Sequence, residues 1–127
     1  MDRKELFEKR PKIKINGKIF FCPTSAAMEL IGGKWKSVIL THLIDSKKRY
    51  NELRKEIPGI TERTLSLQLK QLEASGIVNR KVFTKKPPLK VEYTLTEFGQ
   101  TLIPILSLIT EWGLHAAETK GEFIFKK

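Results

Sequence analysis

The 127-residue chain has one cysteine, two histidines and no apolar run near the ~20 residues that a membrane-spanning helix requires. One cysteine rules out an intramolecular disulfide. His42 and His115 stand alone, with no partner at metal-ligand spacing, so no metal site is expected. The opening MDRKELFEKR has no apolar signal core behind its charges. No Ser/His/Asp or Cys/His set, phosphate-cradling glycine loop or purposeful carboxylate pair is visible. The expectation is a cytoplasmic, non-enzymatic protein without a cofactor. Internal repeats and low-complexity tracts are also missing, and the length suits one domain.

What the chain does have is positive charge: 24 Lys and Arg against 14 Asp and Glu, a net of +10. Residues 34–90 hold 14 basic and 5 acidic side chains, a net of +9. Residues 1–33 carry a net of +3 and residues 91–127 a net of −2. A basic surface kept for solubility would be spread evenly; one concentrated in the middle is the footprint of a polyanionic partner.

In chain order, KIKINGKIFF at 12–21 predicts a β-hairpin about Asn16-Gly17, both of which tolerate positive φ. Ile13 and Ile15 alternate with lysines before the turn, and Ile19 and Phe21 after it. Thr24 is expected to cap a short helix over 25–31, closed by Gly32-Gly33. A longer helix is expected over 34–45, with Trp35, Val38, Ile39, Leu43 and, less centrally, Leu40 inward and His42 among them. Lys47-Lys48-Arg49 then reads as a solvated loop. A further helix over 50–57 keeps Tyr50, Leu53 and Ile57 on one side, and Pro58-Gly59 ends it.

TERTLSLQLKQLEASG, 61–76, is the centre of the chain. Leu65, Leu69 and Leu72 make one apolar stripe at i, i+4, i+7. Arg63, Ser66, Leu67 and Lys70 lie opposite, with Gln71 at the margin. Thr61 suits the N-cap and Gly76 the left-handed stop. Two helices joined by so short a turn make a helix-turn-helix, and the polar-faced one suits a major groove. IVNRKVF at 77–83 and VEYTL at 91–95 predict a second hairpin, its tip at 84–90 carrying Lys85, Lys86 and Lys90. That hairpin makes the unit a winged helix, with its wing on the DNA backbone or minor groove. The same lysines and prolines also guard a strand edge against aggregation.

A last helix is expected from Glu97 to about Thr119, capped by Thr96 and kinked at Pro104. Its stripe is Phe98, Leu102, Ile105, Leu106, Ile109 and Trp112, widened by Ile103 and Leu108. So much apolar circumference needs a second surface, most simply another copy of the chain, with Ile103, Leu106, Ile109 and Trp112 at the interface. The expected fold is mainly α with a small β-wing. An N-terminal arm and hairpin (1–23) precede a winged-helix core (24–95), and a long dimerisation helix (96–120) completes it.

The ordered landmarks C-P, GGKW, RYNEL, ITERTLSxQLKxLExxGIVxR, VEYxLTxxG and W-G, spread over 22–112, resemble the HxlR-type winged-helix transcriptional regulators of bacteria and archaea. The resemblance implies a homodimer on inverted-repeat, double-stranded operators. By position it carries the recognition-helix role to Arg63, Thr64, Leu67, Gln68, Lys70 and Gln71 in a helix over 61–75, and the wing role to Lys85 and Lys86. Two places depart: the lead hairpin is longer, and Leu67 stands where many members carry a polar residue. An apolar side chain there can meet a thymine methyl. Some members sense oxidants or electrophiles through a cysteine at the place of Cys22. Its position before a helix N-terminus, near lysines, favours the thiolate. The alternative role for Cys22 is a small buried filler. From another functional class, the rival is a winged helix that docks an acidic protein on the same basic surfaces.

Overall fold

In the computed structural model, which describes residues 1–125, the Asn16-Gly17 pair turns at φ 49° and 80°. It joins β1 (Ile13–Ile15) to β2 (Lys18–Phe20), with Ile15 opposite Lys18 and Ile13 opposite Phe20. Cross-strand partners share a face, so Phe20 joins Ile13 and Ile15 inside. Ile19 and Phe21, expected there, point to solvent. Ahead of the hairpin lies a helix that the sequence pattern does not predict, α1 (Arg3–Lys9), capped by Asp2 through the Glu5 N–H at 2.8 Å.

The cap of α2 (Pro23–Ile31) is Cys22 rather than Thr24. Proline fits the first helical turn, where its missing N–H costs nothing, and this moves the boundary back by two residues. The next helix is shorter than expected: α3 spans Lys36–His42, with Ile39 and Leu40 buried, Leu43 buried just beyond its end and Val38 exposed. The basic run at 47–49 is not wholly a loop. Lys48–Arg49 forms β3, antiparallel to β5 (Val91–Leu95), with Lys48 opposite Tyr93. Its lysines are held internally, Lys48 to Glu56 at 2.9 Å and Lys47 to Glu92 at 3.5 Å.

α4 (Tyr50–Glu56) and α5 (Glu62–Ala74) are joined through Gly59 at φ 81°, a conformation that costs glycine little. Ile57 and Ile60 drop into the core on either side of that turn. β4 (Val78–Val82) pairs along its length with β5, giving a sheet of order β3-β5-β4 behind the helix-turn-helix. The core is one cluster: Ile31, Ile39, Leu40 and Leu43 meet Leu53, Ile57, Leu65, Leu69 and Leu72 from the helix-turn-helix, and Ile77, Val78, Tyr93 and Leu106 close it.

Thr96 locks the wing to the C-terminal helical segment. Its hydroxyl donates to the Gly76 carbonyl at 2.6 Å and accepts from the Gly99 N–H at 2.8 Å. Gly99 sits so close to the chain that a β-carbon would stand 2.1 Å from the Ile77 carbonyl oxygen. The last helix is not one kinked rod. α6 (Glu97–Gln100) ends, and α7 (Ile103–Lys120) starts afresh with Pro104 in its first turn. Proline is compatible with that position and not with a helix interior, so the break falls before it. α7 packs on α3 through Leu106, which is 1% exposed. Leu106 therefore belongs to the chain's own core, which removes it from the expected interface between copies. Among the described residues no helix is long and apolar enough to cross a membrane.

Candidate nucleic-acid interface

α5 is fixed at both ends before its outer face is considered. The Thr61 hydroxyl oxygen accepts from the Thr64 N–H at 3.1 Å, and Gly76, at φ 77°, stops the helix after Ser75. Leu65, Leu69 and Leu72 are sealed in the core. Burying leucines at that spacing turns Arg63, Leu67 and Lys70, at i, i+4, i+7, out to solvent as one line. Leu67 is 51% exposed, so the apolar side chain is presented rather than packed.

Ser66 and Gln71 are exposed on the two shoulders of that line. Ser66 is also tied down, its hydroxyl 2.9 Å from that of Tyr50, which in turn donates to the Glu62 carbonyl at 3.1 Å. Gln68 is half-buried. Thr64 is half-buried too, and its hydroxyl accepts from the Thr61 hydroxyl at 3.0 Å, which makes it part of the cap. At the start of the helix Arg54 pairs with Glu62 at 2.7 Å, bracing α4 against α5.

The wing tip is tied by Thr84. Its hydroxyl donates to the Pro88 carbonyl and accepts from the Lys90 N–H, both at 3.2 Å. Below it the Phe83 N–H donates to the Lys90 carbonyl at 2.8 Å. With the backbone so held, Lys85, Lys86 and Lys90 are all exposed. Two residues that sequence patterning does not single out face α5 from the sheet. Arg80 on β4 stands opposite Tyr93 on β5, and both line a cleft of about 380 Å³ with Ser66, Leu69, Lys70 and Glu73. Their alternation along the strands is visible in the sequence; which face meets α5 is not.

Cys22 is exposed, so it is not a buried filler. Its sulfur lies 3.2 Å from the Ser25 hydroxyl and accepts from the Ser25 N–H at 3.4 Å. The Ser25 hydroxyl first, then the Ser25 and Thr24 N–H groups, hold the thiol below its ordinary range. The helix terminus acts as expected, through these hydrogen bonds rather than through nearby lysines. On α7, Ile103 is half-buried, while Ile109 and Trp112 are exposed, Trp112 at 70%. Ile105, Leu108 and Leu114 are exposed beside them.

A helix-turn-helix whose second helix offers an Arg–Leu–Lys line, backed by a sheet that runs out into a lysine-tipped hairpin, defines the winged-helix DNA-binding regulators. Comparison with known proteins agrees with that class. The HxlR-like helix-turn-helix family matches residues 30–120, and the chain belongs to that family. It is 55% identical over 92 residues to the HTH-type transcriptional regulator YybR of Bacillus subtilis (strain 168), covering 72% of this chain and 73% of that one. Among solved structures it resembles the redox regulator HypR in its oxidised form (53% identity, TM-score 0.69, 74% of this chain and 96% of that one). The likeness to the reduced form is similar (50%, 0.72, 76% and 95%). The chain is a helix-turn-helix transcriptional regulator.

Proposed function

We propose that the chain acts as a homodimer on an inverted-repeat operator, as a cytoplasmic regulator without catalytic activity. Residues 24–95 read DNA, 96–120 join the two copies and 1–23 form an arm. The carrying observation is the exposed line Arg63, Leu67 and Lys70, flanked by the exposed wing lysines within the segment of net +9. Arg63 reads a guanine edge, Leu67 meets a thymine methyl, and Lys85, Lys86 and Lys90 hold phosphates. Gln68 and Gln71 support the base contacts from the shoulder of the helix. Selection of bound duplexes from a random pool tests this: two half-sites in inverted orientation, ~34–36 Å apart, are expected. A pool that stays unenriched, with an acidic protein competing for the surface, would favour the protein-docking alternative.

The dimer rests on α7. Ile105, Leu108, Ile109 and Trp112 expose a continuous apolar strip along a helix already anchored by Leu106. Such strips on monomers are uncommon and usually mark an interface. Light scattering is expected to give twice the 14.6 kDa chain mass. A monomer mass at concentrations that saturate the operator would sink the idea.

Cys22 gives the regulator a redox input. The thiol is exposed and hydrogen-bonded toward its thiolate, and the similar HypR is named a redox regulator. With one cysteine per chain, oxidation joins Cys22 to a second thiol from another chain or a small molecule. Both thiols lose a proton and an electron to an added oxidant such as diamide. Diamide is expected to change operator binding of the native protein and to leave Cys22→Ser unaffected; equal responses would leave the cysteine a helix cap.

A further inference from the structure

The cleft between α5 and the sheet lies beside the outward line of α5, between two elements that contact DNA in the proposed function. Lys70, from the outward line of α5, stands on one wall, and Arg80, on the strand that continues into the wing, stands on the other. Neither forms an ion pair among the described residues. Glu73 adds one negative charge against these two positive ones, so the cleft is net cationic.

We propose that this cleft seats a backbone phosphodiester of the bound duplex, with Arg80 and Lys70 as its cationic ligands; the assignment rests on α5 being the recognition helix. A strand whose bases face α5 and whose backbone continues to the wing lysines must pass between helix and wing, over this opening. The cleft suits an oxyanion better than an apolar effector, since Ser66, Lys70 and Arg80 can donate hydrogen bonds to one, Glu73 is a single opposing carboxylate and Leu69 supplies the aliphatic wall. Tyr93 closes the base. It is 7% exposed, and burial pushes its phenol up while the nearby Arg80 charge opposes that shift, so Tyr93 lines the cleft without adding negative charge. Guanidinium forks match phosphate oxygens in pairs, which fixes register as well as charge.

The test is salt-dependent binding of the full-length protein to its selected operator and to random duplex. Arg80→Gln and Lys70→Gln are each expected to weaken both duplexes by the same factor. Each should also lower the slope of log affinity against log salt by about 0.9, narrowing the affinity ratio between about 50 and about 200 mM salt by about 3.5-fold. Lys70 is exposed, so its variant carries the test if Arg80→Gln does not fold. An unchanged slope in both variants overturns the cleft. Arg63→Ala, run in parallel, separates the two claims: if it fails to alter base preference, the recognition-helix reading falls. If it alters preference while both cleft variants keep the native slope, only the cleft falls.

Discussion

α5 and α7 use leucine and isoleucine in opposite ways. α5, with 13 residues, drives three leucines fully into the core and leaves the rest of its surface polar except for Leu67. α7, with 18 residues and far more apolar side chains, fully buries Leu106 alone and leaves Ile105, Leu108, Ile109, Trp112 and Leu114 in water. Apolar content therefore does not rank helices by their contribution to the chain's core. A polar helix can be the keystone when its few apolar residues fall on one line. An apolar helix can be peripheral when its side chains surround it and only one line finds a partner.

Substitutions on the two helices should separate by what they break. Leu69→Ala removes a fully buried side chain from the centre of the core and should cost roughly 2–5 kcal/mol of folding stability. Ile109→Asp places a charge on an exposed position of the chain, so the helical signal and the fold should persist. What it should lose is self-association, because the charge would be buried unpaired between copies, and with it tight operator binding. Denaturant melts and light scattering on both variants check the contrast. If Ile109→Asp unfolded the chain while Leu69→Ala only dissociated it, the division between core helix and interface helix would be reversed.

Within the proposed DNA-facing surface the next contrast is smaller. Arg63→Ala should cost about 1–3 kcal/mol on the operator and relax one base position, whereas Lys86→Ala should weaken all duplexes alike and lower the salt slope by about one unit. Equal losses on specific and random DNA for both variants would erase the distinction between base reading and phosphate contact. Removing the α5 cap with Thr61→Ala should cost about 1 kcal/mol of stability, and thermal melts would show it.

The parts of the fold legible in the sequence are those whose cause is local. Asn16-Gly17 dictates its own turn, Pro58-Gly59 interrupts its own helix, and Thr61 and Thr96 bond to N–H groups three residues on. Leu65, Leu69 and Leu72 declare their face by spacing. The illegible parts depend on distant partners. β3 is two residues long and exists only because β5, more than forty residues later, pairs with it. The inward residue of β2 is Phe20 because the two-residue loop fixes register across the hairpin, and alternation alone cannot choose between the two faces. Leu106 is equivalent to Ile105 and Ile109 by spacing, and only its packing on α3 sets it apart. Arg80 reads as one more strand residue because the cleft it lines together with Lys70 is made by the stacking of α5 on the sheet. Of the interface, the helix line and wing lysines are readable in the sequence, and the cleft between them is not.

The smallest expected effect concerns Cys22, and it works through a single hydroxyl. The thiol caps α2 in place of an ordinary oxygen acceptor, and the Ser25 hydroxyl is the largest of the influences that lower it. A group lowered in the folded state holds its thiolate to more acidic pH than the unfolded chain does. Any stability it lends is present above the unfolded value and lost as pH falls through the folded one. Cys22 is exposed, so kinetics report the shift better than melting does. The rate of alkylation by iodoacetamide should rise with pH and level off earlier in native protein than in protein unfolded by urea. Ser25→Ala keeps the backbone N–H and removes the hydroxyl, so its curve should move toward that of the unfolded chain without reaching it. Coincident curves for native and Ser25→Ala proteins would show that the hydroxyl does not tune the thiol. The proposed redox input would then rest on the exposure of Cys22 and on the helix terminus alone.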